Sequence, residues 1–322
     1  MHKGRCTSIS VDAARDLISA ELEDRGHHAH VDVLFDEIVY RSGLLTVVDE
    51  CRLEFRHHLI QEFFAGRAVK RASTFKYDVA DEWWRTPIVF HFGESADDSE
   101  GLGELRELAD ALMPGEVFEA AITLGLAVQA SYLTPRKLRQ KEIAWVVQQL
   151  SDEYEHALKK FSGDGSTSKL APFISYYMAA KDAVACDLLL ECEELDKLGG
   201  GDRESELVER DLFWRCAGQI EAGRLDEAEG IVKAYQPKDL RYLLALHMGC
   251  FTVENLKYSE PSAKRIAKDI SKKIAPKITH LIDAYIEEWK QNILELRRVE
   301  NKAIEADAQR VGRTQGGKSD GQ

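Results

Sequence analysis

A mainly α-helical chain carrying one small β-hairpin is the fold class that these 322 residues predict. Three observations predict it. Apolar residues recur at three- and four-residue spacing through most of the chain, the period of one helix face. Over residues 44–57 the period drops to two, as strands require. Small-residue turns then separate helical units of roughly 20–35 residues, the pattern of an irregular, solenoid-like α-helical array. Hydrophobic residues at 44% and charged residues at 31% provide a core and solvated helix faces together, which excludes a disordered chain.

Each element has its own signal. Residues 9–24, "ISVDAARDLISAELED", put Ile9, Ala13, Leu17, Ile18 and Leu22 on a helical stripe with Ser10 as N-cap. "VDVLFDEIVYRSG" predicts a second helix on Val33, Leu34, Ile38 and Val39, ended at Gly43. "LLTVVD" and "RLEFRH" are β-prone runs joined by a tight turn at Asp49-Glu50-Cys51. A helix from about His58 to Arg71 follows, with Leu59, Ile60, Phe63, Phe64 and Val69 on its core side. Two helices, a hairpin and a further helix make a winged-helix pattern over residues 8–72.

Residues 73–258 read as the helical array. Trp83, Trp84, Phe90 and Phe92 form an aromatic stripe expected to plug a junction between domains. "GLGELRELADALM" and "GEVFEAAITLGLAVQASYL" are two helices broken at Pro114-Gly115, and a long helix begins near Arg136. "ESELVERDLFWRCAGQIEAGRLDEAEGIVKAY" gives two helices hinged at Gly223. Its second half resembles half of a tetratricopeptide unit, without a second copy at that period. Residues 259–310 read as long charged helices interrupted at Pro276, and 311–322 as a disordered tail.

The stretch "FRHHLIQEFFAG", residues 55–66, carries the most information. His57 falls at the mouth of a helix, where unpaired N–H groups and the positive dipole end collect. That position suits a histidine reaching toward an anionic phosphate. The run resembles the winged-helix motif of NACHT-type STAND nucleotide-binding proteins, Phe-x-His-x-x-Phe-Gln-Glu-Tyr-Leu-Ala-Ala. Phe55, His57, Gln61, Glu62, Phe63 and Ala65 fall on matching positions, and Ile60, Phe64 and Gly66 are close replacements. "RSGLLTVVDECRLEF" resembles the hairpin that leads into this motif in the family.

The resemblance implies that His57 contacts the β-phosphate of ADP bound to a nucleotide-binding domain and holds the protein closed. His58 inherits no role. The family's Walker A loop, Mg²⁺-binding acidic strand and sensor arginine precede the winged helix, whereas this sequence begins almost at that module. The expectation is therefore the regulatory and sensing C-terminal part of a NACHT-type signalling or antiphage defence protein. No ATPase activity of its own is expected, and no cofactor for this chain alone; ATP or ADP is expected where a nucleotide-binding domain is joined to it.

Composition sets the remaining bounds. A net charge of −13 disfavours general nucleic-acid or anionic-membrane binding. Six scattered cysteines form no CxxC pair, which points to reduced thiols rather than a zinc or redox centre. No apolar run approaches the roughly 20 residues of a membrane span, and the start lacks a secretory signal, so a cytoplasmic location is expected. "GRTQGGKS", residues 312–319, spells a P-loop but has no strand before it and no helix after it. "HHAH" at 27–30 reads as a solvated loop, not a metal cluster. No catalytic spacing is present, so no enzyme is expected. Lys264, Lys268 and Lys272 make a basic stripe on one helix face, read as solvated. A protein partner or trigger ligand and possible oligomers follow from the NACHT-type reading. The alternative is a stand-alone helical scaffold that binds proteins and never meets nucleotide.

Overall fold

The computed structural model describes residues 2–27, 30–49, 51–71, 79–95, 97–113, 115–161, 170–189, 192, 204–235, 240–255 and 261–315. They are mainly helical, with one small three-stranded antiparallel sheet in the order β1-β3-β2. The chain divides into two units, Met1–Leu150 with Leu188–Lys197, and Ser151–Asp187 with Leu198–Gln322. The expected boundary at 72/73 therefore lies inside the first unit. Among the described residues no helix is long and apolar enough to cross a membrane.

The first unit begins with β1 (Ser8–Ser10), α1 (Val11–Asp24) and α2 (Val31–Asp36), the last running into a π-helical turn over Glu37–Arg41. Ser10 caps α1 as its type predicts, accepting from Ala13 N at 3.1 Å. Ile9 does not join the helical stripe. It lies in β1, paired with Leu53, a contact too distant in sequence for a local pattern to reveal. α1 closes on a Schellman turn at Gly26 (φ 71°), with His27 N donating to Leu22 O at 2.8 Å and Gly26 N to Glu23 O at 2.9 Å. On the second helix Val39 is buried as expected, but Val33 and Leu34 face out and Phe35 fills the core. Phe35 and Val39, four residues apart and on one face, pack with Leu53 against Ile9, Ile18 and Leu45.

β2 (Leu45–Val48) and β3 (Arg52–Phe55) form the hairpin, Val48 opposite Arg52. Asp49 turns the chain with φ 52°. α3 (His58–Arg71) then packs on α4 (Glu82–Gly93). α5 (Ser99–Asp110), α6 (Val117–Ala130) and α7 (Arg136–Phe161) follow. α6 is apolar all round, from Phe118 to Val128, and α4 and α5 pack against it. Of the aromatic stripe of α4, Phe92 is fully buried, like Ile88 beside it, and Trp83, Trp84 and Phe90 are half-buried.

The second unit contains α8 (Leu170–Ala180), α9 (Glu204–Glu221), α10 (Leu225–Ala234), α11 (Leu240–Asn255) and α12 (Pro261–Gln315). Its core is aromatic, with Tyr154 stacked on Phe173 at 4.1 Å and Phe213 against Tyr242 at 4.9 Å. The hinge at Gly223 is a second Schellman turn: φ is 72°, and Arg224 N reaches Gln219 O at 2.8 Å. α12 is a single kinked helix whose break falls at Ile278, two residues beyond Pro276. It continues through Gln315, so the first residues of the expected tail are helical. Residues 316–322 lie outside the described residues, as do His28 and the loop 162–169.

Candidate functional site

β3 delivers the chain to the site. Arg56 N donates to Leu44 O at 2.9 Å, the last cross-strand bond, and the His57 carbonyl then accepts from Ile60 N at 3.0 Å, opening α3. The His57 side chain is exposed at that opening, next to exposed Arg56. A helix N-terminus presents N–H groups with no partner inside the helix, so the surface beside His57 carries positive polarity. His58 diverges from it. Its Nδ1 lies 3.3 Å from Glu62 Oε1, and its ring meets the edge of Trp83 at 5.4 Å.

α3 buries only part of the side that its apolar pattern predicts: Val69 is buried and Ile60 and Phe63 are half-buried, but Leu59 and Phe64 are not. Gln61, Gly66 and Val69 are buried, whereas Leu59 is 61% and Phe64 41% exposed. The reason lies in Gly66. A Cβ built there would sit 2.6 Å from the Pro87 carbonyl and 2.9 Å from Phe90 Cβ, so only a glycine admits this approach of α4. α4 packs on the side of Gly66 and reaches Phe63, and leaves Leu59 and Phe64 exposed. Phe63 rests edge-on against Phe90 at 5.6 Å, Arg67 lies 5.9 Å above Phe63 and 3.3 Å from Glu94, and Phe64 lies 6.1 Å from Phe55. His57, Leu59 and Phe64 are thus all exposed on α3 and its opening.

A second polar cluster is buried in the other unit. Lys181 Nζ donates to Glu221 Oε2 at 2.7 Å and to Asp182 Oδ1 at 2.9 Å. Burial raises the Glu221 carboxyl above its ordinary range and Lys181 pulls it partly back; burial opposes the Lys181 charge, but its two carboxylate partners outweigh this and hold it protonated. Gly249 passes against the Tyr177 hydroxyl and Glu221 Oε1. Burial pushes the Tyr177 phenol up, takes the Cys216 thiol well above its ordinary value and takes Cys250 to about 12. These are neutral, shielded groups that fasten the unit, and none is poised as a nucleophile.

Other candidates disperse. Lys268 pairs with Glu254 at 3.7 Å, Lys272 with Asp269 at 3.5 Å and Lys273 with Glu229, so much of the basic stripe is spent on neighbouring carboxylates. Among the described residues no group of three His, Cys, Asp or Glu side chains is arranged to hold a metal ion. Gly312–Gln315 of the P-loop look-alike are part of α12. Pattern reading missed the Lys181–Glu221 pair, for which a charged residue within "YYMAAKDAVAC" was the available signal, and His2, described below. No protein family, curated protein or solved structure matches this chain.

Proposed function

We propose that the chain is the regulatory and sensing part of a NACHT-type STAND signalling or antiphage defence protein. Residues 8–72 are its winged-helix module, and the exposed face of α3 docks the nucleotide-binding domain. His57 then reaches the β-phosphate of ADP held by that domain and keeps the protein closed. The helical array receives the trigger, which opens the lock by preferring the open state. The observation that carries this reading is the exposure of His57 at the mouth of α3 beside open Leu59 and Phe64. An apolar face of this kind, next to a helix N-terminus, calls for a protein partner that brings an anion.

The test is co-purification of the chain with the P-loop protein encoded ahead of or beside it. Association lost on Leu59→Asp with Phe64→Asp supports the reading; a neighbourhood encoding no Walker A strand-loop-helix overturns it. A stand-alone protein-binding scaffold is the second reading. It is favoured by α12, where Ile286, Trp289 and Leu294 are 43%, 54% and 49% exposed.

A further inference from the structure

Pro87 sits inside α4 and brings no N–H, so the Trp83 carbonyl one turn earlier loses its helical donor. His2 replaces it. The His2 Nε2–H donates to Trp83 O at 2.9 Å, and Trp83 Nε1–H donates to the His2 carbonyl at 3.0 Å. The His2 ring stacks on Trp83 at 4.7 Å and meets Trp84 edge-on at 4.7 Å, leaving the residue 5% exposed. Three further ties fasten the segment: Arg5 pairs with Asp81, Gln61 Nε2 donates to Cys6 O at 3.1 Å, and β1 pairs along β3. Arg5 turns in the left-handed region at φ 52°, a conformation that costs a non-glycine residue energy and that these anchors sustain.

We propose that the segment His2–Cys6 is a strap over the Trp83–Trp84 face of α4, and that protonation of the His2 imidazole releases it. The charged and titratable side chains that act on His2 are Asp81 at the start of α4 and His58 on α3; Arg5 on the strap pairs with Asp81, and Glu62 on α3 with His58. The nearest carboxylates are engaged elsewhere: Asp81 takes Arg5 and caps Trp83 N, and Glu62 takes His58. His2 Nδ1 is buried with no hydrogen-bond partner among the described residues. A second proton therefore puts an unanswered donor and a charge into a buried aromatic slot beside His58.

Burial holds His2 below its ordinary 6.5, and His58 pushes the same way against the opposing Trp83 carbonyl bond. The docked strap carries neutral imidazole, and the released strap takes up its proton at the ordinary value. Docking is then complete above about pH 6.5 and weakens by up to about tenfold per pH unit below it. This inference stands apart from the nucleotide reading and applies equally to a scaffold.

Hydrogen exchange of residues 2–10 in the full chain, corrected for intrinsic rate and followed from pH 7.5 to 5, tests it. Protection falls below pH 6.5 in the wild type. It stays flat in His2→Gln, whose amide still donates but does not titrate, and falls as in the wild type in His58→Gln. If His2→Gln fails to dock at pH 7.5, the wild-type and His58→Gln profiles decide. Protection that is constant across the range, or a fall that survives His2→Gln and vanishes in His58→Gln, overturns the proposal.

Discussion

Gly66 is the residue on which the packing of α3 turns. The obstacle to any side chain there is the backbone carbonyl of Pro87, which has no rotamer to yield. Gly66→Ala is expected to cost about 1–3 kcal/mol as overpacking, despite alanine's better helix propensity. Urea unfolding of the pair of proteins measures it, and an unchanged or raised midpoint contradicts the packing described. His247 gives a prediction in pH. Its Nδ1 shares a hydrogen bond with Ser271 Oγ at 2.9 Å, and burial holds it below the ordinary 6.5. The unfolded chain therefore binds the proton first as pH drops, so the stabilisation is whole above 6.5 and is lost below it. Thermal melts should show the wild type losing stability relative to His247→Gln between pH 7.5 and 5.5.

Local signals were legible at the scale of elements. Ser10 capped α1, Gly223 hinged α9 and α10, and α3 began and ended at His58 and Arg71, because caps and glycines act within one turn. What depended on a neighbour was not legible. The apolar pattern of α3 was visible, but which side α4 would take was not; the mid-helix Gly66 was its sole local hint. The fastening of the second unit was equally hidden. Lys181 sits on the short turn after α8 and Glu221 on the last turn of α9, with side chains only 10% and 7% exposed. Removing one partner strands the other charge. Lys181→Met or Glu221→Leu alone is expected to cost about 3–5 kcal/mol, and the two together distinctly less than the sum. Equal, additive losses in denaturant titrations would contradict the pair as a coupled unit.

At the scale of the molecule, helix and sheet content followed from periodicity, whereas the division of the chain did not. The winged-helix pattern was read as ending at 72; the first compact unit runs on to Leu150 and takes in Leu188–Lys197. Contacts between elements define such units, and composition marks them only where linkers are polar. Of the proposed site, the sequence pattern located the histidine, which lies on the surface at the opening of α3. Its uncovered apolar neighbours were not expected. Leu59→Asp and Phe64→Asp should leave the melting temperature within about 2 °C, since exposed positions contribute little to folding. The same changes should abolish association with a nucleotide-binding domain in a pull-down.

The most direct measurement is the nucleotide content of the native gene product, isolated with whatever its own locus encodes ahead of this sequence. The proposed lock predicts close to one ADP per chain, retained through gel filtration by the wild type and lost from His57→Ala. A product free of nucleotide, or ADP held equally well without the imidazole, would contradict it.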